Sequence, residues 1–262
     1  MNAVPEHVEA GGLLTTPTPT QSERARILNP KSSQLMGTDA HLPAIAASNL
    51  HHDFIEQALK QAGSIEPATR GDGRQFEGRT IRAAAVLVGL VDREPDGAGV
   101  SVVFTQRAAA MRNHAGQIAL PGGAIDLTDT SPWAAAQREA FEEIALDPSL
   151  LSPLGALLVY TTVTAFEVTP CVGWIQPQAQ FTPAPDEVAA VFEVPLAFLM
   201  NPANHQRRSI QTPVGERSFY AMPYTDAAGQ ERFIWGATAG MLRNFYKVFA
   251  AHQSKIGAAV NS

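Results

Sequence analysis

Apolar positions change their period several times along the chain, and each change marks an element. Leu50, Phe54, Ile55, Leu59 and Ala62 recur at helical spacing, with Ser48 or Asn49 placed to cap the start and Gly63 to end it. From Ile81, "IRAAAVLVGLVDRE" is an unbroken apolar run, the pattern of a strand covered on both faces. "EPDGAG" is turn chemistry and "VSVVFTQR" reads as a second strand, so the pair predicts a hairpin. "LPGGAIDLTDTSPW" then reads as a loop rich in glycine and aspartate. A helix follows, with Ser131 at its N-cap, Pro132 at its first position and Pro148 just beyond its end. On its wheel Trp133, Ala140, Phe141 and Ile144 are expected to pack, and Glu139, Glu142 and Glu143 to face away from them.

"LGALLVYTTV" and "FEVTPCVGWI" predict further strands, and "FEVPLAFLM" a turn into a short helix. "RSFYAMPYTDAAGQERFIW" predicts a hairpin turning at Gly229. Met241, Leu242, Phe245, Val248 and Phe249 mark a closing helix, expected to fray after Ser254. "TTPTPTQS" has no hydrophobic period and predicts a flexible linker. The order of strands, helix, strands, helix predicts an α/β chain with a mixed sheet and helices on both sides. The expected divisions are a flexible extension over 1–47, a helix and linker over 48–75, the main domain over 76–252 and a tail over 253–262.

Composition narrows the partners. The net charge of −6 and pI near 5.6 leave no basic stripe to neutralise phosphates, so nucleic acid is not expected. A small anionic ligand stays admissible where arginines or a divalent cation offset its charge. The single cysteine, Cys171, has apolar neighbours and reads as a buried strand residue. The N-terminus lacks a basic and apolar leader, and the longest apolar run falls far short of the roughly 20 residues of a membrane span. These features predict a cytoplasmic protein without membrane contact, and they leave a homodimer open.

The candidate chemistry lies in "REAFEE", Arg138 to Glu143. Glutamates at i, i+3 and i+4 repel by a few tenths of a kcal/mol per pair. A hard divalent cation offsets that repulsion, because Mg²⁺ takes oxygen ligands and completes its shell with water and substrate phosphates. Arg138, four residues before Glu142, is placed to orient a carboxylate as well. A solvated acidic face is the plainer reading of two adjacent glutamates. Gly122 and Gly123 tip the balance, since they let the backbone approach a metal or phosphate closely.

"GGAIDLTDTSPWAAAQREAFEEIAL" resembles the Nudix box, G-x5-E-x7-R-E-U-x-E-E-x-G-U with U a bulky aliphatic. The second half matches at Arg138, Glu139, Glu142 and Glu143, with Ala140 at U. The first half departs: Thr130 stands where the pattern has Glu, its Gly falls on Ala124, and Ala145 replaces the later Gly. "VFTQRAAAMRNHAGQIALPGG" is similar to the extra motif of coenzyme A pyrophosphatases within that family, matching at Thr105, Arg107, Arg112, His114, Gly116, Pro121, Gly122 and Gly123. That group typically carries loop aspartates, as Asp126 and Asp129 do here.

The resemblance implies an α/β/α sandwich with a mixed sheet, and Mg²⁺ or Mn²⁺ on Glu139 and Glu143. Glu142 would be a third ligand or a base, Arg138 would pair with a helix glutamate, and the Gly123 carbonyl would add an oxygen. Glu187 in "APDEVAAVFEVP" is the candidate glutamate from a later loop. Arg107 and Arg112 could hold substrate phosphates, while His114 would brace the loop. The implied reaction is hydrolysis of the diphosphate of coenzyme A or acyl-CoA. The alternatives are another nucleoside diphosphate derivative, such as ADP-ribose, and a non-catalytic nucleotide-binding module.

Overall fold

A computed structural model describes residues 27, 29–71, 80–93, 99–109 and 116–260. The strands in chain order are β1 (Gln34–Thr38), β2 (Arg82–Asp92), β3 (Val100–Arg107), β4 (Ile118–Ala119), β5 (Gly122–Ala124), β6 (Leu151–Ala156), β7 (Tyr160–Thr161), β8 (Phe166–Ile175), β9 (Val188–Pro195), β10 (Gln206–Thr212), β11 (Gly215–Thr225) and β12 (Glu231–Trp235). The helices are α1 (His52–Leu59), α2 (Pro132–Ile144), α3 (Leu196–Leu199) and α4 (Gly236–Val260).

β2 is the spine of the main sheet, whose order is β4-β3-β2-β8-β6, with β5 on β2, β7 on β8 and β9 on β3. It runs parallel to β8 from Arg82↔Phe166 to Val91↔Ile175 and antiparallel to β3 and β5, so the sheet is mixed. A parallel pair needs a crossover, and α2 lies within it. Alternate β2 residues enter two cores: Ala84, Val88 and Leu90 face α1 and α4, while Ala85, Leu87 and Val91 face α2. Both faces of the apolar run are therefore covered, and the layers form the expected α/β/α sandwich.

Ser131 caps α2 by accepting a hydrogen bond from the Ala134 N–H at 3.1 Å, with Pro132 at the first position. The helix ends where Ala145 turns left-handed at φ 53° and its N–H bonds the Phe141 carbonyl. The hairpin turning at Gly229 forms as expected, with φ 80° at that glycine. Cys171 lies buried in β8, and burial pushes its thiol up to about 11. Among the described residues no helix is long and apolar enough to cross a membrane.

Several expectations need correction. The cap of α1 is His51, whose Nδ1 accepts from the Phe54 N–H at 3.4 Å; Ser48 and Asn49 lie in a preceding 3₁₀ turn. Gly122 and Gly123 belong to β5, a strand paired with Val86 and Ala85, and not to a loop. α4 continues through the supposed tail to Val260. The division at 47 also fails, because residues 29–47 are part of the fold. β1 pairs with β10 and completes a second sheet, β1-β10-β11-β12, that the sequence reading did not anticipate. Asp39, just after β1, is 4% exposed and accepts from Arg243 Nε of α4 at 2.7 Å.

Candidate active site

The three glutamates of α2 meet different fates because the packed strip of the helix runs through Ala136, Ala140 and Glu143. Glu143 is buried, its side chain 5% exposed, while Glu139 is 16% and Glu142 55% exposed. Phe141, expected to pack, is 55% exposed on the outer side of the helix. The glutamates therefore span the boundary between the core and solvent and do not form one solvated face.

Arg138 resolves much of their repulsion. Its Nη1 donates to Glu139 Oε1 and to Glu142 Oε2, both at 3.0 Å. Its Nε and Nη2 grip Asp129 at 3.1 and 2.9 Å, and Nη2 also donates to the Ala124 carbonyl at 3.1 Å. The hydrogen bond from Arg138, helped by the Asp126 N–H, holds the Asp129 carboxyl below the usual range. Asp129 in turn raises the Arg138 pKa.

The glycines bring β5 against this face. A Cβ at Gly123 would lie 2.5 Å from Glu139 Oε1, and one at Gly122 would lie 2.4 Å from the Ala85 carbonyl oxygen. Gly122 also sits at φ 152°. No other residue fits either place without displacing backbone or carboxylate. The Gly122 N–H donates to Glu143 Oε2 at 3.2 Å, and Arg107 Nη1 stands 3.8 Å from Glu143 Oε1. Among the described residues Arg107 Nε is buried without a hydrogen-bond partner.

Burial pushes the Glu143 carboxyl up to about 7, against the Gly122 hydrogen bond and Arg107, while Glu139 and Glu187 push it further. Glu139 is raised too, by burial first and then by Glu142 and Glu187. Glu187 is exposed at the turn before β9 and lies within electrostatic reach of both. That turn is tied to α2, since the Ala184 N–H donates to the Glu143 carbonyl at 2.9 Å.

One site thus gathers Arg107, Gly122, Gly123, Arg138, Glu139, Glu142, Glu143 and Glu187. Arg112 and His114 lie outside the described residues. Among the described residues no group of three or more His, Cys, Asp or Glu side chains is gathered tightly enough to hold a metal ion by itself. Sequence reasoning left Asp129 without a role, yet it makes the most extensive contact with Arg138.

A family model of the NUDIX domain matches residues 81–212, which include every residue of this site. The chain belongs to the Nudix hydrolases. Its relatives include the uncharacterized Nudix hydrolase NudL of Enterobacter sp. (strain 638), 43% identical over 62% of this chain and 80% of that protein. NudL of Escherichia coli O7:K1 is 41% identical over the same shares. A solved MutT protein from Methanosarcina mazei Go1 is 15% identical, with TM-score 0.40, over 67% of this chain and 97% of that one. As a Nudix hydrolase, the protein is an enzyme acting on the diphosphate of nucleoside diphosphate derivatives.

Proposed function

We propose that this Nudix hydrolase cleaves the diphosphate of coenzyme A or acyl-CoA. The products would be 4′-phosphopantetheine, or its acyl form, and adenosine 3′,5′-bisphosphate. The observation that carries this reading is the stretch Val103–Gly123, which is similar to the coenzyme A motif and joins Arg107 to the Gly122–Gly123 strand beside Glu143.

The donor set fits a divalent cation. Glu139 and Glu143 are carboxylates whose burial favours the proton over the free charge, against the Gly122 N–H and Arg107, at 3.8 Å, for Glu143 and against Arg138 for Glu139. Two such oxygen donors suit an ion that keeps water and takes substrate phosphates into its shell. Glu139 and Glu143 would hold Mg²⁺ or Mn²⁺, with the Gly123 carbonyl as a further oxygen. The chemistry such an ion supplies is neutralisation of the diphosphate and acidification of a bound water.

The remaining roles fall to side chains already in place. Arg138 fixes Glu139 and Glu142 through one nitrogen and so sets where both carboxylates point. Arg107 has a buried Nε that no described residue bonds and a guanidinium 3.8 Å from Glu143, the form suited to bidentate contact with phosphate. Glu187 or Glu142, the more exposed acids, are the candidates to take a proton from water. In-line displacement at phosphorus then rests mainly on positioning and charge stabilisation.

Product analysis by mass spectrometry, with coenzyme A and with or without Mg²⁺ or Mn²⁺, tests the proposal. Metal-dependent release of 4′-phosphopantetheine with adenosine 3′,5′-bisphosphate supports it. Cleavage of ADP-ribose in place of coenzyme A would keep the metal site and overturn the substrate.

A further inference from the structure

We infer that Asp129 is the positioning residue for Arg138, filling from one residue earlier in the chain the place that the general box gives to its first glutamate. The inference depends on Nudix chemistry at this site and not on the choice of substrate.

Thr130, where the pattern expects an acid, is exposed. Asp129 holds Arg138 through both carboxylate oxygens, and its side chain is only 5% exposed. Its orientation is fixed from the other side by a tight turn. The Asp126 N–H donates to Asp129 Oδ2 at 2.8 Å, and the Asp129 N–H donates to the Asp126 carbonyl at 3.0 Å.

The spacing explains how the substitution works. Gly123 to Asp129 reads G-x5-D, so the glycine and the acid have moved together and keep the interval of the pattern. The displaced glycine is functional in geometry, since Gly123 packs so closely against the Glu139 carboxylate that a Cβ would lie 2.5 Å from Oε1. One extra residue therefore stands between the acid and Arg138. Aspartate is one methylene shorter than glutamate, and the added residue takes up the difference.

The side-chain partners of Asp129 are Arg138 and the Asp126 N–H. It acts through Arg138, whose Nη1 bridges those two carboxylates while its other nitrogens are held by Asp129 and the Ala124 carbonyl. Without Asp129 the guanidinium keeps on that side the Ala124 carbonyl and the looser, exposed Asp126 carboxylate at 3.7 Å, and the bridging nitrogen loses its fixed direction.

A double-mutant cycle separates this role from a merely structural one. Turnover of a cleaved diphosphate substrate and Mn²⁺ affinity by electron paramagnetic resonance are measured for Asp129→Asn, Arg138→Ala and the double variant. Asp129→Asn is expected to lower kcat by roughly tenfold or more with KM within about threefold, and to weaken Mn²⁺ binding. In the Arg138→Ala background it is expected to add less than about twofold. Thr130→Ala leaves kcat unchanged. Asp129→Glu combined with deletion of Thr130, which restores the general spacing, recovers activity that Asp129→Glu alone does not.

Three results would overturn the inference: wild-type behaviour of Asp129→Asn, a full additional loss in the Arg138→Ala background, or a loss that tracks the unfolded fraction in calorimetry. If coenzyme A is not a substrate, the Mn²⁺ cycle still reads the coupling, so the two proposals fail separately.

Discussion

Glu143 is a carboxylate inside a packed helix face, touched by one N–H and approached by one arginine. Such a group is costly unless a charge partner arrives. Glu139, less buried and pressed against Gly123, is the better probe of function because its loss disturbs little packing. Glu139→Gln is expected to leave the folded state nearly intact and to lower turnover by two or more orders of magnitude, roughly. Unchanged turnover in a steady-state assay would remove Glu139 from the metal site. Ala145 offers a second test at this scale. It holds a left-handed conformation that costs an L-residue about 1 kcal/mol, so Ala145→Gly should raise stability by up to about 1 kcal/mol in urea unfolding. The second half of the box was legible because its residues are consecutive on one helix. Asp129 was not, because its partner is brought to it by a turn, and a displaced G-x5-D looks like a mismatch until the guanidinium is seen on it.

Elements with strong period or punctuation could be read directly: β2 from its apolar run, α2 from Ser131 and Pro132, and the last hairpin from its glycine. β1 could not. Its residues Leu35 and Met36 are half exposed, so it carries no buried stripe to betray it. What secures it is the ladder to β10 and, just beyond, the buried pair of Asp39 and Arg243, with Arg207 Nε at 3.4 Å from Asp39. A contact across the length of the chain leaves no local trace. Removing residues 1–40, which the sequence alone suggests is harmless, is therefore expected to destabilise the protein. Asp39→Ala isolates the reason: it leaves Arg243 buried and unpaired, at a cost of about 3–5 kcal/mol. A thermal midpoint within a degree of wild type would disprove this account.

Across the whole molecule, the two cores on either side of the main sheet respond differently to solution conditions. His205, fully buried on the α4 side, donates from Nε2 to the Leu199 carbonyl at 2.7 Å, and burial holds its pKa down to about 4. Arg243 lowers it further, while the Leu199 hydrogen bond and Asp39 act in the opposite sense. Its folded pKa lies below the unfolded value near 6.5, so the unfolded chain binds the proton first. Stability is thus full above about pH 6.5 and falls as pH drops toward 4, by up to about 1.4 kcal/mol per pH unit. His205→Gln should flatten that slope in denaturant titrations at successive pH values. On the α2 side, Mn²⁺ should raise the thermal midpoint by mass action, and Glu143→Gln should abolish the increase in scanning calorimetry.

The parallel pairing of β2 with β8 also bears on how the chain is made. One edge of β2 finds β3 within a few residues, but the other faces a partner that begins at Phe166, with α2 still to be made in between. At about 5–20 residues per second of synthesis, that edge waits on the order of 4–17 seconds for its partner. For that interval an apolar strand stands open at the ribosome, and the enzyme has no active site until the wait is over.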